Sequence, residues 1–224
     1  MTPCAFFEEG NCIESMEAHI KKGLELIEKM YLKRNYGVLL GRILGIEPEV
    51  AGDILRKAYV LHDIGKCLEK LQKRGASFGF HWFYSYLVAR NVLSKFGDSG
   101  KIAAVAILLH HHDWVISQTP KKPENLRLCE KCIHLIEDII GEKVSVSIPW
   151  DEPQSVYSEV EKLFRINKKN IRGVYAFLLP IVVADNYAAA INRGGRRSAL
   201  VEEILEVLRL RGWSLACGFP GGVR

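Results

Sequence analysis

Tyr59-Val60-Leu61-His62-Asp63-Ile64-Gly65-Lys66 closes an apolar helical run with two strong ligand side chains side by side, then a glycine and a lysine. His62 offers a neutral imidazole nitrogen and Asp63 an anionic oxygen, the mixed donor pair that suits a borderline divalent metal. A His-Asp pair by itself is common. Its company elsewhere in the chain gives it weight: His19, His81, the run His110-His111-His112-Asp113, and Asp185.

Outward from that stretch, a 3.6-residue apolar period dominates the chain. Pro48, a favoured first helical position, opens the helix that the pair ends, with Val50, Ile54, Leu55, Ala58 and Leu61 inside; Gly65 then interrupts it. Toward the N-terminus, Ile13, Met16, Ile20, Leu24, Ile27 and Tyr31 form the stripe of a first helix, and Tyr36–Leu44 a short second one stopped at Gly45. Toward the C-terminus, 80–96 reads as a helix ended by Gly97-Asp98-Ser99-Gly100, and 101–112, apolar on nearly every side, as a central buried helix. A loop at 118–123 precedes helices at 126–140, with Gly141 as its cap, 156–166, 171–191 and 199–210. Val144 to Ile148 alternates like a strand, but Pro149, Trp150 and Pro153 favour a loop. Pro180 should bend the long penultimate helix. The expected fold is all-α, about eight helices in a single domain over 1–224. Its ligand-bearing core is 12–192, followed by a helix at 196–211 and a loose tail at 212–224.

With 224 residues, 48% of them hydrophobic, the chain can bury one substantial core. A net charge of +5 permits an anionic partner without demanding one. The opening residues lack a basic start and a long apolar stretch, so no secretory signal is expected. The best membrane candidate, 174–191, carries Pro180, Asp185 and Asn186. The expectation is a soluble, cytoplasmic protein with no membrane partner. Six cysteines stand at 4, 12, 67, 129, 132 and 217. Cys129-Glu130-Lys131-Cys132 is a lone CxxC in a helical pattern with no second pair to complete a zinc site, so ordinary buried cysteines are expected. Glutamine at only 72, 118 and 154 hints at a heat-adapted source.

The ligand residues fall on inward faces. His62 continues the line Ala51, Leu55, Ala58, and Asp63 lies about 100° around the helix from it. His19 sits on the shoulder of the first stripe, His81 shares a face with Tyr84, Ser85 and Val88, and His110 and His111 end the apolar helix. Asp185 follows Leu178, Ile181 and Val182 on its face and precedes Ala188 and Ala189. A carboxylate taken out of water there is costly unless paired or metal-bound. Any one inward histidine is more often a hydrogen-bonded core residue. Five imidazoles and two carboxylates on separate helices are satisfied together by one metal cluster, and seven ligands suit two ions sharing a bridging carboxylate better than one tetrahedral ion.

His19, His62-Asp63 and Asp185, with Ile64-Gly65-Lys66 after the pair, resemble the H…HD…D pattern of the HD phosphohydrolase superfamily, over residues 19–185. His81 followed by Ser85, and the paired histidines after a buried helix, are most similar to its CRISPR-associated HD nuclease branch. There the domain is a stand-alone nuclease part of the type I interference helicase–nuclease. That family usually shows two histidines and then glycine. This chain has three, then Asp113 and Trp114; the pair is aligned to His110 and His111, because Ile107 then stands three before the first, with His111 and His112 as the other register.

The resemblance implies an HD-domain helical bundle around a dinuclear site. Asp63 would bridge two divalent ions (manganese, iron, cobalt, nickel or magnesium), one held also by His19, His62 and Asp185 and the other by His81, His110 and His111. It implies attack of an activated water on phosphorus, and partnership with a CRISPR helicase subunit and a guide-RNA surveillance complex. Lys66, three past Asp63, is assigned with it to catalysis, as a point charge on the scissile phosphate. Ser85, Arg193, Arg196 and Arg197 join Lys66 as expected nucleic-acid contacts, the arginines following the Asp185 helix as the start of a basic track. Phe80, Trp82 and Trp114 stand near ligands, where packing or base stacking would use them. The expected substrate is single-stranded DNA, or RNA. A nucleotide or cyclic-nucleotide phosphohydrolase would share the metal site, and a non-catalytic metal-stabilised docking module is the third reading.

Overall fold

The computed structural model describes residues 2–75, 78–111 and 119–193, with isolated helical positions at 202–203, 206–207 and 210. A hairpin of β1 (Cys4–Glu8) and β2 (Asn11–Ser15) precedes α1 (Met16–Met30), α2 (Tyr36–Leu44), α3 (Pro48–Leu61), α4 (Glu69–Arg74), α5 (His81–Val92), α6 (Gly97–Leu108), α7 (Glu130–Ile140), α8 (Pro153–Ile166) and α9 (Lys168–Asn192). Short 3-10 turns stand at Leu32–Arg34, Ile64–Cys67 and Leu93–Phe96. The fold is all-α, and the hairpin is its one sheet among the described residues.

α3 is the axle. It begins at Pro48 and packs against α1, α2 and α6, with Ile54, Leu55 and Leu61 fully buried. Each such side chain contributes about 1.5–3 kcal/mol relative to an exposed position. α9 lies across α1, α2 and α6 and buries Val174, Phe177, Leu178, Ile181 and Ala184. By length and composition it could cross a membrane; here its apolar face is core. Between α5 and α6 the chain turns without a loop.

Several expectations are corrected. Residues 11–15 are strand, not the start of the first helix. The Glu9-Gly10 corner takes positive φ at both residues (49° and 80°), the backbone of a two-residue hairpin turn, and leaves Ile13 exposed. Ser15 caps α1 instead, its hydroxyl accepting from the Ala18 N–H at 3.1 Å. Gly97-Asp98-Ser99-Gly100 opens α6 as well as ending what precedes it: Gly97 takes φ +58°, and Asp98 supplies first-turn negative charge. Helix α7 starts at Glu130, not 126. Residues 126–129 are extended, with the Leu128 N–H donating to Val146 and the Cys129 N–H to Cys67, so Val144 to Ile148 is bridged to the core. The cysteines are not all ordinary thiols: Cys4 pairs with Cys12 and Cys129 with Cys132, leaving Cys67 free and buried among the described residues. The tail at 212–224 lies outside the described residues, as does most of the helix expected at 196–211.

Candidate metal centre

His62 is the first residue past α3 and Asp63 the start of the following 3-10 turn, so one helix end delivers both side chains inward. His19 comes from the buried face of α1, His81 from the first turn of α5, His110 and His111 from just beyond α6, and Asp185 from α9. The turn at Ile64–Cys67 is pressed against α5: a Cβ on Gly65 would lie 2.1 Å from the His81 carbonyl oxygen, so only glycine lets Asp63 and His81 approach. The Gly65 N–H donates to the Ser85 hydroxyl at 2.8 Å.

The ligand atoms fall into two groups. His19, His62, Asp63 and Asp185 each offer an atom within 4.8 Å of the others, and so do His81, His110 and His111. Asp63 faces both. Its Oδ2 lies 3.5 Å from His19 Nε2 and 3.6 Å from His62 Nε2, while Oδ1 lies 3.2 Å from His81 Nε2 and 3.8 Å from His110 Nε2. Asp185 Oδ1 stands 3.2 Å from His19 Nε2 and 3.7 Å from His62 Nε2.

The rings are oriented from behind. The Nδ1 atoms of His62, His81 and His110 lie 2.5, 2.6 and 2.6 Å from the carbonyl oxygens of Tyr59, Phe78 and Ile107, in each case three residues back. Nδ1 therefore donates, and Nε2 is left as the ligand atom, the usual outer support of a metal-binding histidine. His62 also stacks on Tyr59 at 4.7 Å.

The fit of this set to divalent ions rests on what it leaves unmet. The Nε2 atoms of His19, His62 and His110 and Oδ1 of Asp63 are buried with no hydrogen-bond partner. Four such atoms converging in one core cost about 1–3 kcal/mol each unless something binds them, and imidazole nitrogens with carboxylate oxygens are a donor set for a divalent transition metal.

The electrostatics agree. Burial pushes the Asp63 carboxyl up, but the charges of Lys66 and His62 and the contacts from His110 and His81 outweigh it and hold it well below the usual carboxylate range. Asp185 is held low in the same way: burial raises it, and His19 and His62 prevail. Burial lowers His81, and burial with the charges of His110 and His81 takes His111 down to about 3, so both rings are neutral and ready to coordinate.

His19 differs. Burial works against its cation, but the close approach of Asp185, the bond to Glu14 and the charges of Asp185 and Asp63 raise it to about 9. The metal-free ring therefore carries a proton at neutral pH, and coordination must displace it. Affinity at this group should rise with pH by up to about tenfold per unit and level off above about 9. Calorimetric titration with Mn²⁺ in buffers of different ionisation enthalpy counts that proton; uptake with no proton release would contradict it.

Lys66 is 7% exposed and its Nζ donates to Asp63 Oδ2 at 2.5 Å, placing its charge at the cluster. Ser85 is corrected: it is fully buried and its hydroxyl is spent on Gly65, so it supports the turn and reaches no strand of nucleic acid. Arg193 is part-exposed at the cleft, its Nε donating to Glu14 Oε2 at 2.7 Å and its guanidinium lying over Phe6 at 4.1 Å. Arg196, Arg197, His112 and Trp114 lie outside the described residues.

Glu14 was missed by sequence reasoning. It is 2% exposed on β2, and its carboxylate accepts from His19 Nδ1 and Asn192 Nδ2, both at 2.8 Å, as well as from Arg193. The Glu9-Gly10 turn was the signal for the strand that carries it.

A cleft of about 660 Å³ opens onto the cluster, lined by His81, His111, Asp185 and Lys66 and by aromatic rings that include Phe6, Phe7, Phe78 and Phe80. Trp82 also lines it but is 4% exposed, so it is mainly packed.

Residues 34–140 match the HD domain family model. The chain is also similar to the CRISPR-associated endonuclease Cas3-HD of Pyrococcus furiosus, 27% identical over 234 residues that cover 91% of this chain and 98% of that protein. HD domains are metal-dependent phosphohydrolases, and the two groups of histidine and aspartate side chains here could hold metal ions. Over residues 34–140 the chain thus matches the HD domain, and within that stretch His62-Asp63 belong to a buried group whose ligand atoms could hold a metal ion.

Proposed function

We propose that the protein is a nuclease of CRISPR interference that cuts single-stranded DNA with two divalent ions, its substrate delivered by a helicase subunit and a guide-RNA surveillance complex. One observation carries the reading: Asp63 turns one carboxylate oxygen toward each of two ligand groups at the foot of an open cleft. The similarity to a protein named as a CRISPR-associated endonuclease supports the biological setting.

His19, His62 and Asp185 would hold one ion, His81, His110 and His111 the other, and Asp63 both. When bound, the ions activate water and neutralise charge developing on phosphorus. The chain's own residues do the rest. The Nδ1-to-carbonyl bonds keep the imidazoles aimed. Lys66 holds an ammonium at the cluster, where it can take a phosphate oxygen. The part-exposed rings of Phe7 and Phe80 line the cleft and would offer faces to unpaired bases, each stacked base contributing about 1–3 kcal/mol irrespective of sequence. Duplex DNA presents no such faces.

The purified full chain should be incubated with circular and linear single-stranded DNA, duplex DNA, RNA, mononucleotides and cyclic nucleotides, with each of Mn²⁺, Fe²⁺, Co²⁺, Ni²⁺ and Mg²⁺. Cleavage of single-stranded DNA well ahead of duplex is expected. Hydrolysis of nucleotides with intact DNA would replace this reading by a nucleotide phosphohydrolase, and no hydrolysis with any ion would leave a metal-stabilised docking module.

A further inference from the structure

The described part of the chain buries one carboxylate beside the metal cluster that is too far back to be a ligand. Glu14 is 2% exposed on β2, and its partners come from α1 and the end of α9. One oxygen, Oε1, takes both the His19 Nδ1 proton and the Asn192 amide at 2.8 Å; the other takes Arg193 Nε at 2.7 Å. The other three described ligand histidines with a backed Nδ1 use a backbone carbonyl three residues earlier. His19 lies in the body of α1, not just past a helix end as His62 and His110 do, and its Nδ1 is backed from another element. β2 runs directly into α1 and supplies that backing.

We propose that Glu14 is a positioning residue for His19: its carboxylate fixes the ring so that bare Nε2 faces Asp63 and Asp185, and Asn192 and Arg193 clamp that carboxylate to the end of α9. The inference rests on the metal-centre reading above. It also gives Arg193, which lines the cleft, a role besides nucleic-acid contact, since its Nε donates to Glu14. α9 thereby supplies both a ligand, Asp185, and the clamp on the support of a second ligand, His19, from positions two turns apart on one helix. Carboxylates that back a ligand histidine contribute about 10–100-fold in metal affinity in other proteins.

The experiment is calorimetric titration of the metal-stripped full chain with Mn²⁺, alongside thermal unfolding. The variants are Glu14→Ala, Glu14→Gln, the double Asn192→Ala/Arg193→Ala, and Asp63→Ala as reference. Glu14→Ala should weaken one of two ions by about 10–100-fold and leave the other unchanged. Glu14→Gln, which keeps an oxygen for His19, should lose less. The double variant, with the clamp released but the carboxylate present, should fall between the wild type and Glu14→Ala. A purely structural pin between hairpin and α9 would lower the unfolding temperature in all of them and leave both affinities untouched. A folded Glu14→Ala protein with wild-type affinity for both ions therefore overturns the proposal. If Glu14→Ala does not fold, unchanged affinities in the double variant overturn it equally. Wild-type binding by Asp63→Ala would sink the metal-centre reading itself, a result distinct from either.

Discussion

Asp63→Ala is expected to abolish hydrolysis and the uptake of both ions together. One carboxylate serves two groups, with Oδ2 toward His19 and His62 and Oδ1 toward His81 and His110, so its loss takes a ligand from each. Removing a single electrostatic contact to developing charge costs other enzymes about 10²–10³ in rate, and the loss here should be at least about a thousandfold. The variant also strands the Lys66 ammonium, 9% exposed in its side chain, without its partner, which should cost about 3–5 kcal/mol of stability. Asp63→Asn separates the two effects. The amide keeps the shape and an oxygen for Lys66, so stability should fall less, while a neutral oxygen still fails to bridge two cations. Metal content by elemental analysis, single-stranded DNA cleavage and thermal unfolding read the three quantities; an Asp63→Asn protein with two ions and normal turnover would refute the bridging role.

Gly65→Ala should do comparable damage with no change of charge. The added methyl would sit 2.1 Å from the His81 carbonyl oxygen and 2.9 Å from the Ser85 nitrogen, both backbone atoms that no rotamer change can move. The turn must back away from α5, breaking the buried Gly65–Ser85 bond and widening the 3.2 Å approach of His81 to Asp63. Overpacking at about 1–3 kcal/mol and the lost bond at about 1–3 kcal/mol together should lower the unfolding temperature by roughly 5–15 °C in a chain of this size. The His81, His110, His111 group should bind its ion more weakly than the His19 group does. Ser85→Ala, which removes the acceptor but adds no bulk, should show only the smaller stability loss. Equal effects from the two variants would mean the close approach is unimportant.

Much of this was legible because helices and ligands announce themselves locally. Pro48 and Gly45 bracket the entry to α3, and the apolar period puts His62 and Asp185 on inward faces. Leu178, Ile181 and Ala184 do surround Asp185 on the buried side of α9, which is what made its carboxylate conspicuous. The hairpin was not legible, because a stripe starting at Ile13 fits a helical period as well as Met16 does; only the Glu9-Gly10 corner distinguishes them, through its positive φ. Missing the hairpin meant missing Glu14. The pairing of Cys129 with Cys132 was misread for a related reason: α7 starts at Glu130, so Cys129 is an extended capping residue and not part of the helix face it shares by spacing. Arg193 and Ser85 were assigned by proximity to ligands, and proximity does not say which way a side chain points. Ser85 is buried and supports the Gly65 turn, while Arg193 stands at the cleft and also bonds Glu14.

The cluster draws on nearly the whole length of the chain, from Glu14 and His19 near one end to Asp185 and Arg193 far along it, with α9 as the last piece. The first 180 residues hold six of the seven candidate ligands and the first half of α9, but not Asp185. A fragment cut there should fold its hairpin onto α1 with Glu14 and His19 still lacking the three side chains that face them from α9 and its C-terminal end, namely Asp185, Asn192 and Arg193.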